Sequence, residues 1–217
     1  MLVDEAHWNT HTSQGLYRPL ARLLSSDGYR LSRNRQALIP ELLDTCEVLL
    51  VANPRGLSGL RFGGAAFAQG EVEAVRSWVR EGGGLLLIAD RAPSIDAARP
   101  IAEAFGIEIG DRTLAASGEE VPQAHPIRYG RSEANEQVGR LALFPGPALR
   151  TGSSRAVEIV ASRSVAIESG KGRVVVMTDA GALTAQIVEG KRRGINAPEV
   201  DNDQLALNIL HWLSKLI

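Results

Sequence analysis

The 217-residue chain contains a single cysteine, Cys46, which excludes an internal disulfide and any cysteine-rich zinc site. It also lacks an excess of either charge, since 24 Lys and Arg stand against 25 Asp and Glu for a net charge of -1. No basic stripe with interleaved aromatics is present, so nucleic acid is not an expected partner. The strongest basic run, Lys191, Arg192 and Arg193, is too short to change that and reads as a solvated loop. No apolar run approaches the roughly 20 residues of a bilayer-spanning helix. The opening "MLVDEAH" passes straight into acidic residues, with neither the basic region nor the apolar core of a secretory leader. A soluble, cytoplasmic protein without a membrane partner is expected. Nucleotide and zinc signatures are missing too. The glycines of "GGGLLL" precede a strand where a dinucleotide fingerprint needs them after one, "ESGKGR" lacks the Walker spacing, and no H-E-x-x-H occurs. Neither a cofactor nor a metal is expected.

What is present alternates between two patterns. Leu16, Leu20, Leu23 and Leu24 form a helical stripe, with Ser13 as its expected N-cap and Gly28 as its stop. "YRLSR" reads as extended, and Pro40 opens a short helical turn. "EVLLVANP" and "LLLIA" are short, wholly apolar runs of the kind buried on both faces of a sheet. The glycine-rich stretch from Gly56 to Gly70 reads as a loop. Val72, Val75, Trp78 and Val79 mark a second helix, and Ala98, Ile101, Ala102 and Phe105 a third, with Ser94 as its expected cap. Residues 107–155 read as short strands and loops. "AVEIV" and "SVAIE" read as strands, followed by a hairpin turning at Gly170 and Gly172 into "RVVVMT". A last helix carries Leu205, Ile209, Trp212, Leu213 and Leu216 on its core face, with Asp201 and Gln204 as an expected capping box. Asn208 falls at the edge of that face and needs buried partners, while His211 points toward solvent. Without repeat or linker, residues 1–217 are expected to form one α/β domain, a three-layer sandwich around a mostly parallel sheet.

Four of the expected core strands run into a polar residue: Asp4 after "MLV", Asn53 after "VLLVA", Asp90 after "LLLIA" and Asp179 after "VVVMT". In a parallel sheet those ends share one edge, where open α/β folds bind ligands. Glu5, His7 and Arg91 join the same edge. Asp and Asn also serve as turn formers and helix caps there. Because isolated buried charge is costly, the shared edge predicts one solvated depression bordered by Asp4, Glu5, His7, Asn53, Asp90, Arg91 and Asp179. Arg91 is placed to neutralise the carboxylates. The strand-to-helix turn after Ile88 is where some α/β enzymes carry a nucleophile, but here it holds Asp90 and Arg91. Cys46 precedes its strand and reads as a small buried side chain. His7 and His11 read as polar loop histidines in preference to zinc ligands.

The stretches "VDEAHWNT", "VLLVANP", "VEAVRSWVREGGGLLLIADRAPS", "AFGI", "HPI", "GKGRVVVMTDAGALTAQ" and "DNDQLALNILHWLS" resemble the class I glutamine amidotransferase-like superfamily. Within it the resemblance is to a bacterial branch related to the GIFT-type domains of gliding-motility and intraflagellar-transport proteins. It implies a flavodoxin-like fold. Working members carry Cys at the turn now held by Asp90, with His and Glu later, so the resemblance implies that glutaminase chemistry is lost. Relatives place His after the Asp of this turn, where this chain has Arg91, and no Asp–His pair carries over. The hairpin near Gly170 is implied to be a fold element and not a sugar site. The expected function is therefore binding of a small polar ligand or a protein partner at the strand-end edge. The alternatives are a hydrolase on a small polar or carbohydrate-type substrate, using Asp4, Glu5, Asp90 and Asp179 as acid and base or around a divalent ion, and a structural subunit, including a homo-oligomer.

Overall fold

The computed structural model describes residues 1–56, 66–115 and 124–217. The loop expected over 56–70 falls mainly on residues 57–65, outside the described residues. The strands are β1 (Leu2–Asp4), β2 (Ser32–Asn34), β3 (Val48–Ala52), β4 (Gly84–Ile88), β5 (Ile107–Leu114), β6 (Gly146–Thr151), β7 (Ala156–Val160), β8 (Ser164–Ser169), β9 (Gly172–Met177), β10 (Ala185–Val188) and β11 (Lys191–Gly194). The helices are α1 (Arg18–Ser26), α2 (Pro40–Leu43), α3 (Gln69–Glu81), α4 (Ser94–Ala104), α5 (Pro126–Tyr129), α6 (Glu133–Glu136) and α7 (Asn202–Leu213).

Seven strands form the central sheet in the order β2-β1-β3-β4-β9-β8-β7. From β2 to β9 the neighbours are parallel, and β8 and β7 extend the sheet antiparallel. Successive side chains of a strand face opposite ways, so an apolar run in a central strand supplies two cores at once. Leu86 and Ile88 of β4 pack with Leu20 and Leu24 of α1 and Ile209 of α7 on one face. Leu85 and Leu87 pack with Val75 and Val79 of α3 and Ile101 of α4 on the other. Each such leucine removed from water contributes roughly 1.5–3 kcal/mol. The result is the three-layer sandwich that the alternating pattern predicts.

The glycines before β4 have separate tasks. Gly82 ends α3 at φ +135°, a conformation that L side chains rarely adopt. Gly84 lets the sheet approach α7, because a Cβ there would stand 2.6 Å from the Leu213 carbonyl oxygen. Two smaller antiparallel ribbons, β5–β6 and β10–β11, lie outside the main sheet.

Several local expectations are corrected. α1 begins at Arg18, so Leu16 lies in the preceding loop and is 48% exposed. Ser13 caps nothing; its amide and hydroxyl both donate to Glu5. Ser94 is the first residue of α4, after Pro93, and its side chain makes no cap. Asp201 precedes α7 but turns its carboxylate to the Gly139 and Arg140 amides, and the Gln204 amide donates to Asn208 in place of the expected box. Leu216 is exposed beyond the helix end. The Lys191–Arg193 run forms β11, not a loop, with its three side chains exposed. His211 is 1% exposed and bonds Asp27 at 2.6 Å, because α7 packs beside α1 and the end of that helix comes within reach. Asn208 is buried as required, donating to the carbonyls of Ile127 and Glu136 at 2.8 Å each.

Candidate functional site

Parallel packing brings the C-terminal ends of β1, β3, β4 and β9 to one edge, and the loop after β1 lies across it. That loop is pinned by backbone bonds: the Thr10 amide donates to the Asn53 carbonyl at 3.0 Å, and the Arg55 amide donates to His7 at 2.8 Å. Asn53 itself sits at φ +47°, a left-handed conformation that Asn tolerates better than most residues. From there its side chain organises the edge. Its amide nitrogen donates to Asp90 Oδ1 at 2.9 Å and to His11 Nδ1 at 3.0 Å, and its carbonyl accepts the Asp90 backbone amide at 3.0 Å.

This arrangement fixes the state of His11. An amide nitrogen only donates, so Nδ1 must carry a lone pair and Nε2 the hydrogen. Burial lowers the His11 pKa, with Arg91 acting the same way against the opposing pull of Asp90, and the ring is neutral near pH 7. Its ring packs on Tyr17 at 4.8 Å, and the Tyr17 hydroxyl donates to the Ala180 carbonyl. Burial pushes that phenol well up, so it remains a donor. Arg91 forks onto Asp90, Nε to Oδ1 at 3.1 Å and Nη2 to Oδ2 at 3.4 Å, which raises the guanidinium pKa further. The charged pair that ends the apolar run of β4 is thus internally neutralised, with the Arg91 side chain 77% exposed.

Two adjoining cavities open here. One, of about 590 Å³, is lined by His11, Asp90, Arg91, Asp96, Asp111 and Phe144 among others. The second, of about 610 Å³, is lined by His11, Asn53, Arg55, Arg91, Leu16 and Ile187 among others. His11, Arg91, Ala92 and Gln186 border both. Of the residues that the sequence singles out, Asp90 borders the first cavity, Asn53 the second and Arg91 both.

The others turn elsewhere. Asp179 lies beneath the edge, its two oxygens accepting from the Phe144 amide at 2.7 Å and the Ala182 amide at 2.9 Å. Burial raises its pKa to about 6 despite those amides and Arg163, and Asp90 adds to the rise. Glu5 is taken up by Ser13. Asp4 accepts from Asn34 at 3.0 Å and from His7 Nδ1 at 2.8 Å, while His7 Nε2 bonds Glu71 at 3.0 Å. Burial disfavours the His7 imidazolium, but the two carboxylates outweigh it and raise the pKa. Glu71 falls below the usual carboxylate range because the Leu38 and Ala68 amides and His7 outweigh its burial. This is a clamp between the first loop and α3, bordering neither cavity. The four strand-end acids thus each have their own partners, and among the described residues no group of three or more His, Cys, Asp or Glu is placed to hold a metal ion. Sequence reasoning misses His11, Asp96, Asp111 and Gln186. Only the His-x-x-x-His spacing after β1 hints at the first of these.

Fold and strand-end geometry define an α/β protein of the flavodoxin-like, three-layer class, with Asp90 and Arg91 at the turn after β4. Residues 12–187 match the family described as a domain of unknown function, DUF4350, and the chain belongs to that family. Among solved structures it is similar to the mmIFT52 N-terminal domain (14% identity, TM-score 0.75), with 99% of this chain and 97% of that one covered. It is also similar to a putative GMP synthase protein from Thermoplasma acidophilum (9%, TM-score 0.58, 99% and 94% covered). A putative ThuA-like protein from Parabacteroides merdae gives 10% identity and a TM-score of 0.57, with 98% and 88% covered. At these identities the likeness is one of fold. A comparison with curated proteins gave no match. Among the described residues no helix is long and apolar enough to cross a membrane.

Proposed function

We propose that the chain, acting as one unit over residues 1–217, is an amidotransferase-like domain without glutaminase activity that binds a small polar ligand at the C-terminal edge of its sheet. The observation that carries this reading is the array His11–Asn53–Asp90–Arg91, ordered by mutual hydrogen bonds and bordering two open cavities. Pre-ordered polar groups in a concavity are what a small-molecule site needs. Glutamine hydrolysis of the superfamily type needs a thiolate at the turn, and Asp90 is a poor acyl acceptor already engaged by Arg91. Cys46 offers no substitute: it precedes β3, at the opposite end of the strand, and burial pushes its thiol up to about 11. A hydrolase built on the strand-end acids would need them to converge, and their separate partners argue against it. Within the superfamily we assign the chain to the GIFT-type branch on the sequence stretches that resemble it; the likeness to the mmIFT52 domain is one of fold.

The test has two arms. Ammonia release from L-glutamine should stay at the blank level for the wild type and for Cys46→Ser. A saturation-transfer screen of amino acids, hydroxy acids and polyols should find ligands whose signal is lost in His11→Ala while the fold is retained. Glutamine turnover abolished by Cys46→Ser or Asp90→Asn would overturn the reading.

A further inference from the structure

The two cavities differ in charge although they meet at the same side chains. The first is bordered by three carboxylates, Asp90, Asp96 and Asp111, and one arginine, Arg91. Asp96 and Asp111 share a single Arg99 nitrogen, at 3.6 and 3.1 Å, so this half keeps an excess of acceptors. The second is bordered by Arg55 and Arg91, with the hydroxyl residues Thr10 and Ser94 and, among the described residues, no carboxylate. At the junction His11 is 4% exposed, and its Nε2 has no hydrogen-bond partner among the described residues. Arg91 spends Nε and Nη2 on Asp90, and no bond of its Nη1 is present among the described residues. A donor-rich half therefore adjoins an acceptor-rich half across a shared imidazole and guanidinium.

We infer that the site takes a hydroxylated small acid, its carboxylate or phosphate lying against Arg91 and His11 Nε2–H on the Arg55 side and its hydroxyls donating to Asp96 and Asp111. This rests on the reading that the strand-end cavity binds a small polar ligand, and it assigns that ligand a charge and a direction. An anion on the Arg55 side gains charge-assisted bonds from Arg91, whose own carboxylate partner Asp90 borders the other cavity. The same anion on the Asp111 side would meet like charge. A neutral polyol gains only the acceptor half, and a bare anion only the donor half.

Four probes separate these contributions: gluconate, its neutral counterpart sorbitol, acetate and glycerol 3-phosphate. Binding is read from the His11 side-chain nitrogen and the Arg91 Nε signals in ¹H–¹⁵N spectra. Gluconate, glycerol 3-phosphate or both should shift these signals, with a Kd at least about ten-fold below those of sorbitol and acetate, a difference of about 1.4 kcal/mol. Whichever of the two binds more tightly distinguishes carboxylate from phosphate. Asp111→Ala, at a side chain 94% exposed, should weaken gluconate several-fold and leave acetate unchanged. Arg55→Gln should weaken both acids and leave sorbitol unchanged, with the melting temperature checking the fold. Sorbitol or acetate binding at His11 as tightly as gluconate would overturn the assigned polarity while leaving a polar-ligand site in place. No shift at His11 or Arg91 with any probe would overturn both.

Discussion

At the scale of single residues the structure turns on two histidines in one loop with opposite electrostatics. His11 is lowered and neutral, held by an amide; His7 is raised, held between carboxylates. Linkage gives the sign of the second effect. A histidine raised in the folded state contributes stability fully below its unfolded value of 6.5 and loses it as pH rises through the folded pKa. Glu71, lowered in the folded state, contributes above its unfolded value of 4.5 and loses that as pH falls through the folded pKa. The clamp is therefore strongest between those values. His7→Gln is expected to cost about 3 kcal/mol in urea unfolding near pH 5.5, as expected for removing one partner of a buried pair, and progressively less as pH rises through the folded pKa of His7. A cost independent of pH would contradict the clamp. Asp179 runs opposite to the usual carboxylate. Raised to about 6 from 3.8, it favours the folded state in acid, and that contribution is lost as pH rises across this interval. Its ¹³C carboxyl shift should titrate near 6, and a midpoint near 3.8 would remove the claim. Sequence neighbours such as Asp90 and Arg91 are legible as a pair at this scale. His11 is not, because the amide that fixes it is 42 residues away, and His211 reads as solvated because its partner Asp27 lies 184 residues away.

At the scale of elements, the close approach of α7 to β4 makes a paired prediction. Gly84→Ala would drive a methyl to 2.6 Å from the backbone oxygen of Leu213 and should cost about 1–3 kcal/mol. Gly70→Ala, with open space around it in the first turn of α3, should be neutral or stabilise by up to roughly 1 kcal/mol. Thermal denaturation of the two variants checks both; equal effects would show that the close approach of Leu213 does not decide the cost at Gly84. Asn208→Ala removes the donor from the buried Ile127 carbonyl and the half-buried Glu136 carbonyl and should cost about 1–3 kcal/mol by the same measurement. Apolar runs such as "VLLVA" and "LLLIA" identify their strands because burial on both faces demands unbroken hydrophobicity. Helix starts are less legible. Leu16 fits the stripe of α1 but lies before it, and Ser13 and Ser94 have side chains that suit loops as well as caps.

At the scale of the whole molecule, alternating strands and helices require the parallel sheet, and parallel strands require their C-terminal ends to share an edge. That much follows from the sequence pattern. The division of the edge into a cavity-lining array around His11 and a separate clamp around His7 does not, since it depends on how one loop crosses the strands. The mixed charge of the cavities is equally non-local: Asp96 comes from α4, Asp111 from β5, and Arg55 follows β3. The central proposal is that the His11–Asn53–Asp90–Arg91 array is a small-molecule site at the strand-end edge. Crystals soaked in the small polar compounds that give saturation transfer test it most directly. The account predicts bound density in contact with His11 Nε2 and Arg91, with Asn53 and Asp90 unmoved. Compounds bound elsewhere on the molecule, with both strand-end cavities holding solvent alone, would contradict it.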